Sequence, residues 1–291
     1  MTTPTTEKKV LLAVLAHPDD ETFGMGGTLA FYARQDVSTH LICATRGEVG
    51  DMDEDCLDGF ASIAERRESE LRCAADILGL EGVHFLGYRD SGMPGSIDNS
   101  HPQALAAQPI EKVAADIVQY IRQLRPQVVV TFDPIGGYHH PDHIAIHQAT
   151  VKAFYAAGDP YIFPNGLTHY APAKLYFQTI SRTFLRIGVR VLKLFGKDPR
   201  KFGRNGDIDL VSIAEVSFPT HAEIDYRSVA KIRDKASACH ESQGGQQMAG
   251  GIQGWLRRIF SAKETYMRAF PPPVPGIIET DLFQGVVEKS N

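Results

Sequence analysis

Val10-Leu11-Leu12-Ala13-Val14-Leu15-Ala16-His17-Pro18-Asp19-Asp20-Glu21 is the stretch on which the fold turns. Its unbroken apolar run, stopped by a histidine and a proline, has the length of a strand buried on both faces and is too short for a core helix. Pro18 suits the first turn of a helix, where a missing N–H costs nothing. The chain therefore passes from buried strand to helix within a few residues. Parallel strands are linked through helices that cover the sheet, so this reads as the opening unit of a parallel sheet.

Outward from there the alternation recurs. Apolar or β-branched runs at 37–44, 83–86, 127–132 and 174–180 predict strands, and helical spacing predicts helices over 22–34, 63–78, 109–124 and 142–156. The second of these helices stops at Gly79 and the third before Pro126. This pattern predicts an α/β, Rossmann-like core over residues 1–180, a mostly parallel sheet with helices on both faces. Residues 1–6 are polar and expected to fray.

Over 181–291 the expectation is an α+β addition packing on the core: a basic helix, a late strand at 207–218, and helices at 222–239 and 255–269. The four prolines of 270–276 predict an extended segment. The stretch 182–204 carries eight basic residues against the single acid Asp198. Arg182, Arg186, Arg190, Lys193 and Lys197 recur at helical intervals and form one stripe beside a rich apolar face. A solvated cationic face is the plain reading. A lid over a pocket, contact with an anionic surface, or the interface of a homo-oligomer are the sharper ones.

The 291 residues are 43% hydrophobic and 22% charged, with a formal net charge of −5. This balance supports a sizeable core and argues against a disordered chain or a general nucleic-acid binder, which would be basic. Cys43, Cys56, Cys73 and Cys239 form no C-x-x-C pair. That argues against a disulfide scaffold or a thiolate zinc knuckle and predicts a reducing, cytoplasmic setting. Lys8 and Lys9 before the first apolar run imitate a secretory signal, but cleavage after Ala16 would remove the strand that holds His17, so the run is read as a strand. No run approaches the roughly 18 apolar residues of a membrane span.

The chemistry concentrates at two strand ends. In the first motif, His17 and Asp20 offer one nitrogen and one oxygen ligand to a metal ion. Acids at a helix start also complement its dipole, but that explains neither the histidine nor two adjacent aspartates. The second is Asp133-Pro134-Ile135-Gly136-Gly137-Tyr138-His139-His140-Pro141-Asp142-His143, again a strand, a Gly/Pro turn and a helix with proline at its start. His143 supplies a third ligand, with His147 one turn further on. Three protein ligands with one open position is the arrangement of a catalytic zinc site.

These motifs resemble the LmbE-like, or PIG-L, N-deacetylases. The resemblance rests on Ala16 to Glu21, Gly26-Gly27-Thr28, Thr45-Arg46-Gly47-Glu48, Arg67 with Glu70-Leu71, Gly87 to Met93, and Gly137 to His143, with an echo at His240-x-Ser242-Gln243. It spans residues 10–180 and looks most like the mycothiol-pathway branch. It implies a zinc-dependent hydrolase that removes an N-acetyl or other N-acyl group from an N-acetylglucosamine-containing small molecule. His17, Asp20 and His143 match the metal ligands, and ferrous iron suits such a set as well as zinc. Asp19 matches the general base, His140 the general acid or oxyanion partner, Asp142 the group that orients His140, and Tyr138 a mobile tyrosine at the reacting carbonyl. Glu48, Arg67 and Asp90 match positions that hold the sugar. Alternatives are an amidase on a thiol-sugar conjugate, a metal-dependent phosphoesterase, a nucleotide-binding module and a non-catalytic binding protein. Two-metal phosphoesterases need more bridging carboxylates than three ligands provide. Gly24-x-Gly26-Gly27 fails the dinucleotide spacing, because Leu29 stands where the third glycine belongs. A binding protein has no use for Asp19 and His140.

Overall fold

The computed structural model describes residues 8–180, 182–202, 206, 208–249 and 262–286. The elements run β1 (Val10–Leu15), α1 (Asp20–Ala33), β2 (Ser38–Thr45), α2 (Ile63–Leu78), β3 (Gly82–Tyr88), α3 (Ile110–Leu124), β4 (Val128–Phe132), α4 (Gly136–His139), α5 (Pro141–Ala156) and β5 (Lys174–Thr179). They continue with α6 (Arg182–Leu194), α7 (Leu210–Glu215), β6 (Ala222–Asp225), α8 (Ala230–Cys239) and β7 (Lys263–Phe270). One sheet has the order β3-β2-β1-β4-β5-β7-β6. The first five strands in that order are parallel, and β7 is antiparallel to both β5 and β6. The expected α/β class holds.

The centre of the sheet is apolar because both of its faces are covered. Leu11 to Leu15 and all of β2 and β4 are buried. From β1 the chain moves outward to β3, then returns across the sheet to β4 and β5. With right-handed crossovers, that reversal puts α1 and α2 on one face and α3 and α5 on the other. Contacts of α3 with α5, and of α1 and α2 with α8, agree. The reversal lies between β1 and β4, and ligands of open α/β sheets bind outside the carboxyl ends of strands at such a point. Both histidine motifs leave the sheet there.

The C-terminal part departs from expectation in three places. Residues 210–215 are helical, not a strand, because the Asp209 carboxylate accepts the N–H groups of Val211 and Ser212 and starts a turn. Within 222–239 only the second half is helical, since Ala222–Asp225 pairs with β7 as the edge strand. Residues 263–270 form a strand rather than the end of a helix, with β5 and β6 supplying the pairing. Residues 255–261 of that expected helix, 203–205 of the basic stretch, and 1–6 lie outside the described residues. The basic helix forms as expected as α6, which packs on α7. Glu279, buried, accepts from Lys174 at 2.6 Å and Arg268 at 2.7 Å and so ties the C-terminal segment to β5 and β7.

The structure adds one pairing that the reading of the cysteines did not name. Cys73 on α2 and Cys239 at the end of α8 form a disulfide, 166 residues apart in sequence. Packing of α8 on α2 brings them together, and no local spacing could announce it. Cys43 and Cys56 are free. No described helix is long and apolar enough to cross a membrane.

Candidate active site

His17 follows β1 directly, and Asp20 opens α1. On the other side of the switch point, Pro141 starts α5 and His140 caps it, its Nδ1 accepting the Asp142 N–H at 3.2 Å. Gly136, at φ 63°, lets the turn after β4 pass close to α5: a Cβ there would stand 2.7 Å from the His143 Cβ.

The three expected ligands converge. His17 Nδ1 lies 3.2 Å from His143 Nε2, and the Asp20 carboxylate oxygens lie 3.5 Å and 3.4 Å from those two nitrogens. Donors about 2.0–2.1 Å from a common tetrahedral centre stand about 3.4 Å apart, so the set fits a small divalent ion. The outward nitrogens fit too. His17 Nε2 faces the Asp142 carboxylate at 3.0 Å, and His143 Nδ1 faces the Gly136 carbonyl at 3.2 Å. Metal-ligating histidines usually present their second nitrogen to such acceptors. Burial opposes a charge on His17, but Asp90, Asp142 and Asp20 outweigh it and hold its pKa well above the ordinary value. Burial pushes His143 down to about 4, which leaves it a neutral donor of a lone pair. The field favours a cation here.

Asp19 stands beside this cluster at φ 126°, a conformation that costs an L-residue about 1–3 kcal/mol. Arg67, from α2, holds it: one guanidinium nitrogen donates to the Pro18 carbonyl at 2.8 Å and Asp19 Oδ2 at 3.1 Å, another to the Gly47 carbonyl at 3.1 Å. Gly47, at φ 68°, leaves the room, since a Cβ would sit 2.2 Å from that guanidinium. Burial pushes the Asp19 pKa up to about 7, with Arg67 pulling against it.

Burial, then His17 and His143, push His140 down to about 2, so it is neutral. Because its Nδ1 accepts a backbone N–H, its proton sits on Nε2. Tyr138 lines the cleft, its ring 5.8 Å from that of His140. Burial raises its pKa and keeps the hydroxyl protonated. Asp142 differs from expectation. Its carboxylate faces His17 and accepts the Ser91 N–H at 2.9 Å and the Ser91 hydroxyl, and the hydrogen bond to His140 comes from its backbone N–H, with the carboxylate within 4.8 Å of a His140 nitrogen. Asp90 lies 3.5 Å from His17 Nε2 and accepts the Gly92 N–H. Glu48 does not line the cleft; its carboxylate accepts the Asp90 N–H at 3.2 Å and supports that loop from behind.

The cleft also takes in residues that the sequence did not single out: Val49, Asp51, Asp53, Ile208 and Gln247. Val49, Asp51 and Asp53 share the loop after β2, Ile208 and Gln247 come from the C-terminal part, and together they share no motif. Ser91 could have been found, since it sits inside the Gly87 to Met93 string. Ser242 and Gln243, in the weaker echo, do line the cleft.

Comparison with known proteins shows the family. The description "GlcNAc-PI de-N-acetylase" (PIG-L) matches residues 12–154. A 1D-myo-inositol 2-acetamido-2-deoxy-alpha-D-glucopyranoside deacetylase of Geodermatophilus obscurus is 36% identical over 247 residues, 82% of this chain and 84% of the relative. A protein of the same name from Streptomyces griseus is 33% identical over 290 residues, 95% of this chain and 88% of the relative. The structure of N,N'-diacetylchitobiose deacetylase from Pyrococcus horikoshii shares the fold, with TM-score 0.62 and 20% identity, over 99% of this chain and 90% of that one. With relatives this similar over most of their length, and with both histidine motifs meeting at one switch point, the chain belongs to the PIG-L family of de-N-acetylases.

Proposed function

We propose that this chain is a zinc-dependent hydrolase that removes the N-acetyl group from an N-acetylglucosamine-containing small molecule. The observation that carries the proposal is the triangle of His17, Asp20 and His143 donor atoms with the Asp19 carboxylate beside it. His17, Asp20 and His143 would hold the ion. When bound, a divalent ion polarises an amide carbonyl and lowers the pKa of water from about 15.7 towards 7.

The side chains around it supply the rest. Asp19, with a pKa near 7, is suited to take a proton from the attacking water and to return one to the leaving amine. His140 presents its Nε2–H, and Tyr138 its hydroxyl, to the oxyanion that forms on the carbonyl oxygen as the acyl carbon is attacked. Asp142 and Asp90 orient His17. Arg67 and Asp90 line the cleft and would meet sugar hydroxyls, with Glu48 holding the Asp90 loop. The names of the relatives point to an N-acetylglucosaminyl-inositol as the first substrate to try.

The test is acetate release by zinc-loaded and iron-loaded protein from a panel of N-acetylglucosaminides that includes 1D-myo-inositol 2-acetamido-2-deoxy-α-D-glucopyranoside and thiol-sugar conjugates. Release from at least one member is expected. No release from any member by either form refutes the proposal. Cleavage confined to the thiol conjugates replaces it with an amidase.

A further inference from the structure

We infer that Glu21 and His240 are positioning residues for Asp19: as a buried pair they hold the strained backbone that aims its carboxylate. The inference rests on the deacetylase reading above. An acid in the first turn of a helix needs only to face solvent to complement the dipole. Glu21 does the opposite: it is fully buried. Its carboxylate is taken up by three donors. Oε2 accepts the Asp19 N–H at 3.0 Å, and Oε1 accepts the Thr22 hydroxyl and His240 Nε2, the latter at 2.7 Å.

His240 is equally buried, at the end of α8 and 219 residues away in sequence. Opposite a carboxylate, its Nε2 must carry the proton. Its Nδ1 has no hydrogen-bond partner among the described residues, so the ring is aimed by Glu21 and by the edge contact with Phe23 at 5.6 Å. Strained backbone persists only where its surroundings over-determine it. Here the Asp19 N–H is held from α8 through Glu21, while its carboxylate and the preceding carbonyl are held from α2 by Arg67. The two supporting helices are themselves joined: the Cys73–Cys239 disulfide lies one residue before His240, and Ser242 donates to Glu70 of α2 through both N–H and hydroxyl. Backbone and side chain of the base are thus clamped from two cross-linked helices.

The test uses metal-loaded full-length protein and three variants: His240→Leu removes the donor, His240→Gln keeps one, and Glu21→Gln puts an amide N–H where an acceptor stood. His240→Leu should lower kcat by about 10–100-fold with KM and metal content unchanged, the scale on which small misplacements act. His240→Gln should recover most of the loss. In an Asp19→Ala background, where there is no base to aim, His240→Leu should cost nothing further. An activity-independent arm follows amide hydrogen exchange in the peptide 17–23, where protection of the Asp19 amide should fall at least about tenfold in His240→Leu. Should that variant not fold, Glu21→Gln carries the same readouts. Equal losses with and without Asp19, or unchanged exchange, overturn the inference. A wild-type protein that releases no acetate refutes the deacetylase reading instead, and the exchange arm still decides the positioning.

Discussion

Replacing Arg67 with methionine should damage stability and turnover together while leaving the ion in place. Methionine fills the space of the arginine stem but donates nothing. The Pro18 and Gly47 carbonyls then lose a buried donor, at about 1–3 kcal/mol each. Asp19 also loses its cation. A fully buried pair broken in this way costs about 3–5 kcal/mol. The Asp19 side chain keeps 17% exposure at the cleft, so water or a proton relieves part of that charge. The two carbonyls together account for about 2–6 kcal/mol and the discounted pair for about 1–2 kcal/mol, so the total is about 3–8 kcal/mol, which at about 2 °C per kcal/mol lowers Tm by about 6–16 °C. With the carboxylate no longer aimed, kcat/KM should fall about 100-fold or more. Melting curves, metal analysis and acetate release read the three effects. Arg67→Lys should recover little, because one ammonium cannot span the two carbonyls and the carboxylate. A Tm within about 2 °C of wild type, with kcat/KM within about threefold, would refute the reasoning.

Gly47→Ala should imitate Arg67→Met, since its Cβ would displace the guanidinium; normal Tm and turnover would show that the loop yields instead. His17→Ala and His143→Ala should each lose the bound ion, and chelation should abolish turnover reversibly; unchanged metal stoichiometry in both variants sinks the ligand set. Asp19→Asn should cost about 10³–10⁴-fold in kcat with metal retained, and His140→Ala about 10²–10³-fold; activity within a few-fold of wild type in either counts against the roles proposed. Helix α6 leaves Ile187, Val191, Leu194 and Phe195 exposed beside the exposed Arg186, Arg190 and Lys193. Co-sedimentation with vesicles rich in anionic lipid at low salt, lost at high salt, would support the membrane-surface reading, and its absence leaves the solvated cationic face. Reducing the Cys73–Cys239 bridge, which closes a loop of 166 residues, should lower stability by up to about 5 kcal/mol, and an unchanged melting curve under reductant would show that packing of α2 on α8 suffices.

The sequence by itself determined the features that depend on neighbours a few residues apart. The apolar run at 10–16, Pro18 and Pro141 at helix starts, and Gly79 after a helix are local signals, and they placed five parallel strands and their helices. They also placed His17, Asp20 and His143 at strand ends, where the topology of an open sheet brings them together. What the tertiary structure alone decided depends on partners far along the chain. β7 is a strand because β5 and β6 offer it hydrogen bonds, and 222–225 joins it at the edge. Asp142 was assigned to His140 by the family resemblance, yet packing gives its carboxylate to His17 and Ser91. Cys73 meets Cys239, and Glu21 meets His240, only because α8 folds back over α1 and α2. Periodicity and caps are written in consecutive residues. The satisfaction of a buried carboxylate or thiol is not, because its partner is whatever group the closed chain leaves within reach once water is excluded.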